Sequence, residues 1–238
     1  MRKTNIYKKL ILCLVGVIVF MVLLNIKVTT RQGIDYSWYS VKIPLYLKTL
    51  DFIDRHCNYA ELVKRILDGK RTDEERVMRL FEWTIENIKR VPEGLPVVDD
   101  HIWYTMIRGY ATRDQFCDIL ATLCNYAKVE ALIDSVCAKG KDSCEMFVFV
   151  RFSKSWYVFD PYMGVCFKDD YGRFADIGKL KKGEFNAYGL DKKEIQHADY
   201  SKYFENLPTD IKSSLKRSNM QSPLKRVIFE IEKWMQKK

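Results

Sequence analysis

The chain has 238 residues, of which 47% are hydrophobic and 13% aromatic, and it carries a formal net charge of +9. This composition can fill a domain core and excludes a largely disordered chain. The positive charge lies at the ends: residues 1–31 hold six basic and no acidic residues, residues 201–238 hold nine and four, and the middle has a net charge of −2. This distribution favours a membrane partner and predicts no nucleic-acid partner.

The N-terminal region predicts a membrane anchor. Residues 1–9 are basic, and residues 10–27 form an apolar run that would extend roughly 25 Å as a helix. We expect a single-pass anchor in the cell membrane, with a cytoplasmic N-terminus and an extracytoplasmic C-terminal domain. A cleaved signal peptide is the alternative, but the run exceeds the usual apolar length of such peptides, and no A-x-A-like site follows.

Helical patterns dominate the first half of the chain beyond the anchor. Residues 28–42 are predicted to be a linker, and the domain proper is predicted over 43–200. Two helices are expected over 44–56 and 59–67. Thr72, three residues before a glutamate, predicts a capping box that opens a third helix.

Between residues 101 and 137 the hydrophobic period changes from helical to alternating. A short helix is predicted over 101–107 and a long apolar helix over 113–127. Strands are then expected over 131–137, 145–152, 156–160 and 165–168. Helices followed by a strand meander indicate an α+β fold.

A basic helical tail is predicted over 201–238. Ser222 and Pro223 are typical of a helix cap and a first helical position. The following apolar stripe comprises Leu224, Val227, Ile228, Ile231, Trp234 and Met235. We expect this stripe to pack on the domain, with contact to a bilayer surface as the alternative.

Seven cysteines are present, without a C-x-x-C motif. Cys137 and Cys144 flank a turn at residues 139–142 and could face each other across a hairpin. An exported domain permits a disulfide there, whereas two free thiols are the alternative. Nothing in the sequence predicts a metal ion or another cofactor.

Three segments resemble the transglutaminase-like superfamily, which has a papain-like cysteine fold. They are residues 108–115 (RGYATRDQ) with the helix that follows, residues 156–164 (WYVFDPYMG) and residues 171–174 (YGRF). The resemblance extends over residues 72–180, less than half of the chain. It implies a core in which a cysteine at a helix start, a histidine on one strand and an aspartate on the next form a catalytic triad.

The resemblance also implies that this catalytic chemistry is missing. The nucleophile position is Arg113, the histidine position is Glu145, and only Asp160 is retained. Arginine has no nucleophilic atom and stays protonated. We therefore expect Arg113 to bridge the two carboxylates and hold the cleft without catalysis.

An active cysteine hydrolase or acyltransferase is the alternative. Cys117, one helical turn beyond Arg113, would then be the nucleophile and would need an accessible thiol with a low pKa. His101 precedes this helix, whereas His56 and His197 lie outside the resembling segment. Each histidine is more typical of a structural role than of a catalytic base.

Aromatic and amide side chains near the expected cleft are candidate binding residues: Trp103, Tyr110, Gln115 and Tyr162. Core packing is the alternative role for Trp103 and Tyr110. The sequence thus predicts a membrane-anchored, inactive transglutaminase-like domain that binds a peptide, a glycan or a membrane protein. A purely structural scaffold with a filled cleft is a further alternative.

Overall fold

A computed structural model describes residues 2–70, 72–138, 144–189, 194–195, 198–208, 211 and 221–235. The helices are α1 (Arg2–Leu24), α2 (Leu45–Ile66), α3 (Asp73–Asn87), α4 (Ile102–Arg108), α5 (Arg113–Tyr126), α6 (Ile177–Lys182), α7 (Ala198–Phe204) and α8 (Pro223–Met235). The strands are β1 (Lys27–Ile34), β2 (Ser37–Pro44), β3 (Lys89–Arg90), β4 (Val98–Asp99), β5 (Tyr110–Ala111), β6 (Glu130–Cys137), β7 (Cys144–Phe152), β8 (Ser155–Asp160), β9 (Val165–Lys168), β10 (Asn186–Gly189) and β11 (Glu194–Ile195). The predicted α+β class is confirmed.

The main sheet is an antiparallel meander of six strands, in which β6 to β11 each pair with their chain neighbours. In β7, Val148 and Val150 belong to one core cluster, and Phe147 and Phe149 belong to the other. Successive side chains point to opposite faces of a sheet, so both faces of β7 are covered. This two-sided burial explains why the strand is apolar at consecutive positions.

Helix α5 lies at the centre of the larger core cluster. Ten of its fourteen residues are buried, and it packs against β6 and β7 as well as α2, α3 and α4. A helix surrounded by protein must be apolar on most of its faces. This packing fixes the start of α5, and therefore Arg113, against the sheet.

The predicted capping box of α3 is confirmed. Thr72 Oγ1 accepts a hydrogen bond from the Glu75 amide at 3.2 Å, and Glu75 Oε2 accepts one from the Thr72 amide at 3.1 Å. These two bonds satisfy amide groups that a helix start leaves without intrahelical partners.

The segment predicted as a linker, residues 28–42, is instead a β-hairpin of β1 and β2, so that prediction is wrong. Its turn residues, Asp35 and Tyr36, both have positive φ angles, 48° and 63°. Such a turn usually contains glycine or asparagine, which explains why the sequence did not reveal it. The two helices predicted over residues 44–67 are one continuous helix, α2.

Helix α1 contains the apolar stretch Tyr7–Leu24, which has a mean hydropathy of 2.4 and none of its residues buried. It is long and apolar enough to cross a membrane. At its end the chain turns into the hairpin, and the Leu45 amide donates a hydrogen bond to the Ile26 carbonyl at 2.8 Å. The start of α2 therefore lies directly beside the end of α1.

Cys137 and Cys144 pair across the β6–β7 hairpin and form a disulfide, with 3.9 Å between their Cα atoms. The turn predicted at residues 139–142 lies outside the described residues. The bond joins the end of β6 to the start of β7.

The prediction that the stripe on α8 packs on the domain is wrong for the residues that can be described. Val227, Ile228, Ile231 and Met235 are each more than half exposed. Phe229, about 200° around the helix from Val227, is partly buried instead. The helix therefore directs the side that carries Phe229 towards the domain and its apolar stripe away from the domain.

Candidate functional site

Arg113 is the first residue of α5, and its guanidinium joins two strands of the sheet. Its Nε lies 2.9 Å from Glu145 Oε2 on β7, and its Nη1 lies 2.9 Å from Asp160 Oδ2 at the end of β8. The expected bridge between the two carboxylates is therefore present. Charge-assisted contacts of this length are among the stronger hydrogen bonds in proteins.

Asp160 is the buried centre of this ion-pair cluster, and its side chain is only 2% exposed. Besides Arg113, its Oδ2 accepts a hydrogen bond from Tyr200 Oη at 3.3 Å, and its Oδ1 accepts one from the Met163 amide at 3.0 Å. A buried carboxylate is costly unless it is paired and hydrogen-bonded. Here both oxygens have donors.

Arg113 is partly buried, with 25% of its side chain exposed. Burial acts to lower the pKa of its guanidinium, but the charges of Asp160 and Glu145 outweigh burial and raise that pKa above its ordinary value. A cation at a helix N-terminus is unfavourable by about 0.3–1 kcal/mol. The two carboxylates offset this cost, and Arg113 stays charged.

Tyr162, a predicted binding residue, contacts two guanidinium groups. Those of Arg113 and Arg90 lie 4.6 Å and 4.5 Å from its ring centroid. Arg90 also donates to the Tyr162 carbonyl and to Met163 Sδ, both at 3.2 Å. Cation–π contacts at such distances are attractive. Arg90 was not predicted, because 72 residues separate it from Tyr162 and no local pattern marks it.

Cys117, the alternative nucleophile, is fully buried. Its Sγ lies 3.5 Å from the Met146 carbonyl. Burial raises the pKa of the thiol well above its ordinary value, and the nearby Asp160 carboxylate raises it further. A nucleophilic cysteine needs an accessible thiolate. The geometry meets neither requirement for Cys117.

The two histidines among the described residues lie beside tyrosine side chains. His56 Nδ1 lies 2.7 Å from Tyr126 Oη, on the side of α5 that faces α2. His101 precedes α4, and its ring centroid lies 6.1 Å from that of Tyr104. His197 lies outside the described residues.

Gln115 was predicted to contact a ligand, but both polar atoms of its side-chain amide form hydrogen bonds with the protein backbone. Its Oε1 accepts a hydrogen bond from the Thr112 amide at 3.1 Å, and its Nε2 donates to the Val98 carbonyl at 2.7 Å. The side chain is buried. Gln115 therefore holds β4, through Val98, against the start of α5.

The two remaining candidates have structural contacts. Trp103 meets Tyr59 edge-to-face, with 5.4 Å between ring centroids, and packs on the core. The Arg108 guanidinium lies 5.0 Å from the centroid of the Tyr110 ring. Within the described ranges, no group of three or more His, Cys, Asp or Glu residues could hold a metal ion.

No protein-family model matches the sequence, and no curated protein matches it. Solved structures that it resembles include a proposed protease from Parabacteroides distasonis, with 11% identity over 71% of this chain and a TM-score of 0.38. A proposed cysteine protease from Cytophaga hutchinsonii has 11% identity over 59% of this chain and a TM-score of 0.39. A structure described as a TGase has 12% identity over 56% and a TM-score of 0.35.

The matched regions span 40%, 49% and 43% of those three chains. Likeness at this level carries no information about chemistry. The function of the site must therefore be inferred from its own residues.

Proposed function

We propose that this chain is a membrane-anchored, catalytically inactive relative of the transglutaminase-like proteins. Its domain would act outside the cytoplasm as a binding or scaffold module for a protein or glycan partner. The observation that carries the proposal is the bridge from Arg113 to Glu145 and Asp160, at the helix-and-strand positions where the resemblance implies a cysteine, a histidine and an aspartate.

The charges at this site are reversed relative to a working triad. A cysteine–histidine pair places negative charge at the helix start and positive charge on the strand. Here the helix start carries the Arg113 guanidinium, and the strand carries the Glu145 carboxylate. The cluster preserves an attraction between helix and sheet while providing no nucleophile and no group suited to proton transfer near neutral pH.

The surface above the cluster has the composition of a binding patch. Arg90 is exposed and Tyr162 partly exposed, while Met163 is 43% exposed and the Glu145 side chain 33% exposed. Arginine and tyrosine are enriched where binding energy concentrates in interfaces. By analogy with the peptide-handling cleft of the resembling fold, an extended peptide or glycan is the ligand class that fits.

Inactivity can be tested by the pH dependence of cysteine alkylation in the full chain, followed by mass spectrometry. Cys57, which is exposed, serves as the internal reference for an ordinary thiol, and Cys124 for a buried one. We expect Cys117 to react as slowly as Cys124 at every pH. Selective modification of Cys117 well below pH about 8.5 would overturn the proposal and support a cysteine enzyme.

The proposed relationship to the triad can be tested by restoring its residues. Arg113→Cys combined with Glu145→His would place a thiol at the helix start beside an imidazole and Asp160. We expect the thiol at position 113 to have a pKa below about 8.5, because both the helix and the imidazolium favour the thiolate. Arg113→Cys alone is the matched control; an unshifted thiol in the double variant would count against the correspondence.

Binding can be tested with a photo-crosslinking residue at position 163, beside the cluster, in membranes of the native host. Position 171 is the control, because Tyr171 is even more exposed. A discrete protein or glycan adduct formed from position 163, absent from 171 and lost on Tyr162→Ala, supports the proposal. Equal adducts from both positions, or none, would contradict it.

A further inference from the structure

We propose that α8 lies on an anionic bilayer surface, so that the domain touches the membrane at a second place beyond its anchor. This inference rests on the anchoring part of the proposed function. It concerns the exposed stripe of Val227, Ile228, Ile231 and Met235, which the domain leaves uncovered.

Helix α8 is amphipathic. Its four exposed apolar side chains fall within about 100° of one another around the helix axis. Lys225, which is exposed, lies about 60° from Ile228 at one edge of this stripe. A helix with an exposed apolar face is suited to lying in the interface of a membrane.

Helix α8 also contacts the helix that follows the anchor. Helix α8 packs against α2, and α2 begins where α1 ends, because the Leu45 amide bonds the Ile26 carbonyl. Leu45 and Arg226 also line one cavity of about 1010 Å³ between the hairpin, α2 and α8. The start of α8 therefore lies across one cavity from the beginning of α2, where the chain leaves α1.

A second exposed apolar stripe lies on the first half of α2, which follows the anchor. Leu47, Leu50 and Ile53 on α2 are exposed, whereas Tyr59 and Val63 on the same helix are buried in the core. By helical geometry Leu50 points nearly opposite to Tyr59. Two uncovered stripes beside the end of a membrane-spanning helix favour the bilayer as their common partner.

The net charge of residues 201–238 agrees with this partner, since the segment contains nine basic and four acidic residues. Each basic side chain near an acidic leaflet adds about 1 kcal/mol of attraction. The contact should therefore weaken when acidic lipids are replaced by zwitterionic ones or when salt is added.

The test uses the full chain in nanodiscs of mixed zwitterionic and acidic lipid, with nitroxide labels whose collisions with oxygen and with a water-soluble nickel complex are measured. With the exposed Cys13 and Cys57 changed to serine, single labels are placed at Ile231→Cys and, as the matched control, Lys225→Cys. A third variant, in which Cys57 alone is changed to serine, carries its label on native Cys13 in α1 and is the reference for the anchor. Circular dichroism verifies that each variant is folded.

We expect the label at 231 to collide with oxygen severalfold more often than with the nickel complex, and the label at 225 to show the reverse. Equal access of the nickel complex to both positions would overturn the inference. Shielding of position 231 from both reagents would also overturn it, because protein, such as a second copy of this chain, would then cover the stripe. Water access at Cys13 would instead show that the anchor itself fails.

Discussion

Two aspartates lie at the ends of the adjacent antiparallel strands β8 and β9 and accept hydrogen bonds from similar groups, but their partners come from different distances along the chain. Asp160 ends β8 and binds Arg113 and Tyr200, which are 47 and 40 residues away. Asp169 follows β9 and binds Arg173 and Lys179, which are 4 and 10 residues away.

Both carboxylates also accept amide hydrogens from the turn that follows them. Asp160 binds the Met163 amide, and Asp169 binds the amides of Tyr171 and Arg173, each at 3.0 Å. The turn chemistry of the two sites is thus alike. The difference lies in the cations: the cluster at Asp169 can form within one short segment of the chain, residues 169–179, whereas the cluster at Asp160 requires α5, the sheet and α7 to be assembled.

Similar ion pairs can therefore have different structural consequences. Disrupting the Asp169 cluster should loosen the short segment over residues 169–179, while disrupting the Asp160 cluster should separate helices from the sheet. Urea unfolding of the full chain in detergent micelles, followed by tryptophan fluorescence, can measure this difference.

The largest effect is expected for Asp160→Ala. It leaves the partly buried Arg113 without its buried partner and removes one acceptor of Tyr200, so stability should fall by about 3–5 kcal/mol. Asp169→Ala is the matched control and should cost clearly less. Equal losses for the two variants would break the comparison.

A somewhat smaller loss, about 2–3 kcal/mol, is expected for Arg113→Met, because Asp160 keeps two other donors while losing its cation. Arg113→Lys should recover only part of this loss, since an ammonium cannot reach both carboxylates with the planar geometry of a guanidinium. Full recovery by lysine would show that charge alone, without the forked contact, holds α5 to the sheet.

The contacts of Asp169 can also be tested through the pH dependence of stability. The hydrogen bond from Lys179 is the main cause that lowers the pKa of this carboxyl to about 2. A pKa below the unfolded value of about 3.9 gives stabilisation that is full above that value and is lost as the pH falls through about 2. Asp169→Asn should flatten this part of the stability profile, whereas an unchanged profile would contradict the assigned contacts.

The smallest effect is expected for Glu145→Gln. The Glu145 side chain is a third exposed, and Arg113 keeps Asp160, so the loss should not exceed about 1 kcal/mol. Urea unfolding again provides the measurement. A loss as large as that of Asp160→Ala would mean that the exposed member of the cluster, and not the buried one, carries the stability.

The sequence predicted the parts of the fold that local patterns determine. The capping box at Thr72, the strand runs of β6 to β9 and the apolar helix α5 all follow from side-chain spacing over a few residues. The bridge from Arg113 to Glu145 and Asp160 was also expected, because opposite charges occupied positions that the resemblance brings together.

Features that depend on backbone angles or distant contacts could not be predicted. The β1–β2 hairpin turns through Asp35 and Tyr36 at positive φ, without the glycine that usually marks such a turn. Arg90 and Tyr200 reach the cluster from far along the chain. The outward orientation of the stripe on α8 depends on which side of the helix contacts the domain, and periodicity alone cannot specify that.

A double-mutant cycle can measure whether Arg113 and Asp160 hold α5 against the sheet as a structural pair. Stability would be measured for Arg113→Met, Asp160→Asn and the two combined, beside the same cycle for Arg173 and Asp169. The account predicts a coupling energy of about 2 kcal/mol for Arg113 with Asp160 and a smaller one for the local pair. A coupling below about 0.5 kcal/mol between Arg113 and Asp160 would contradict it.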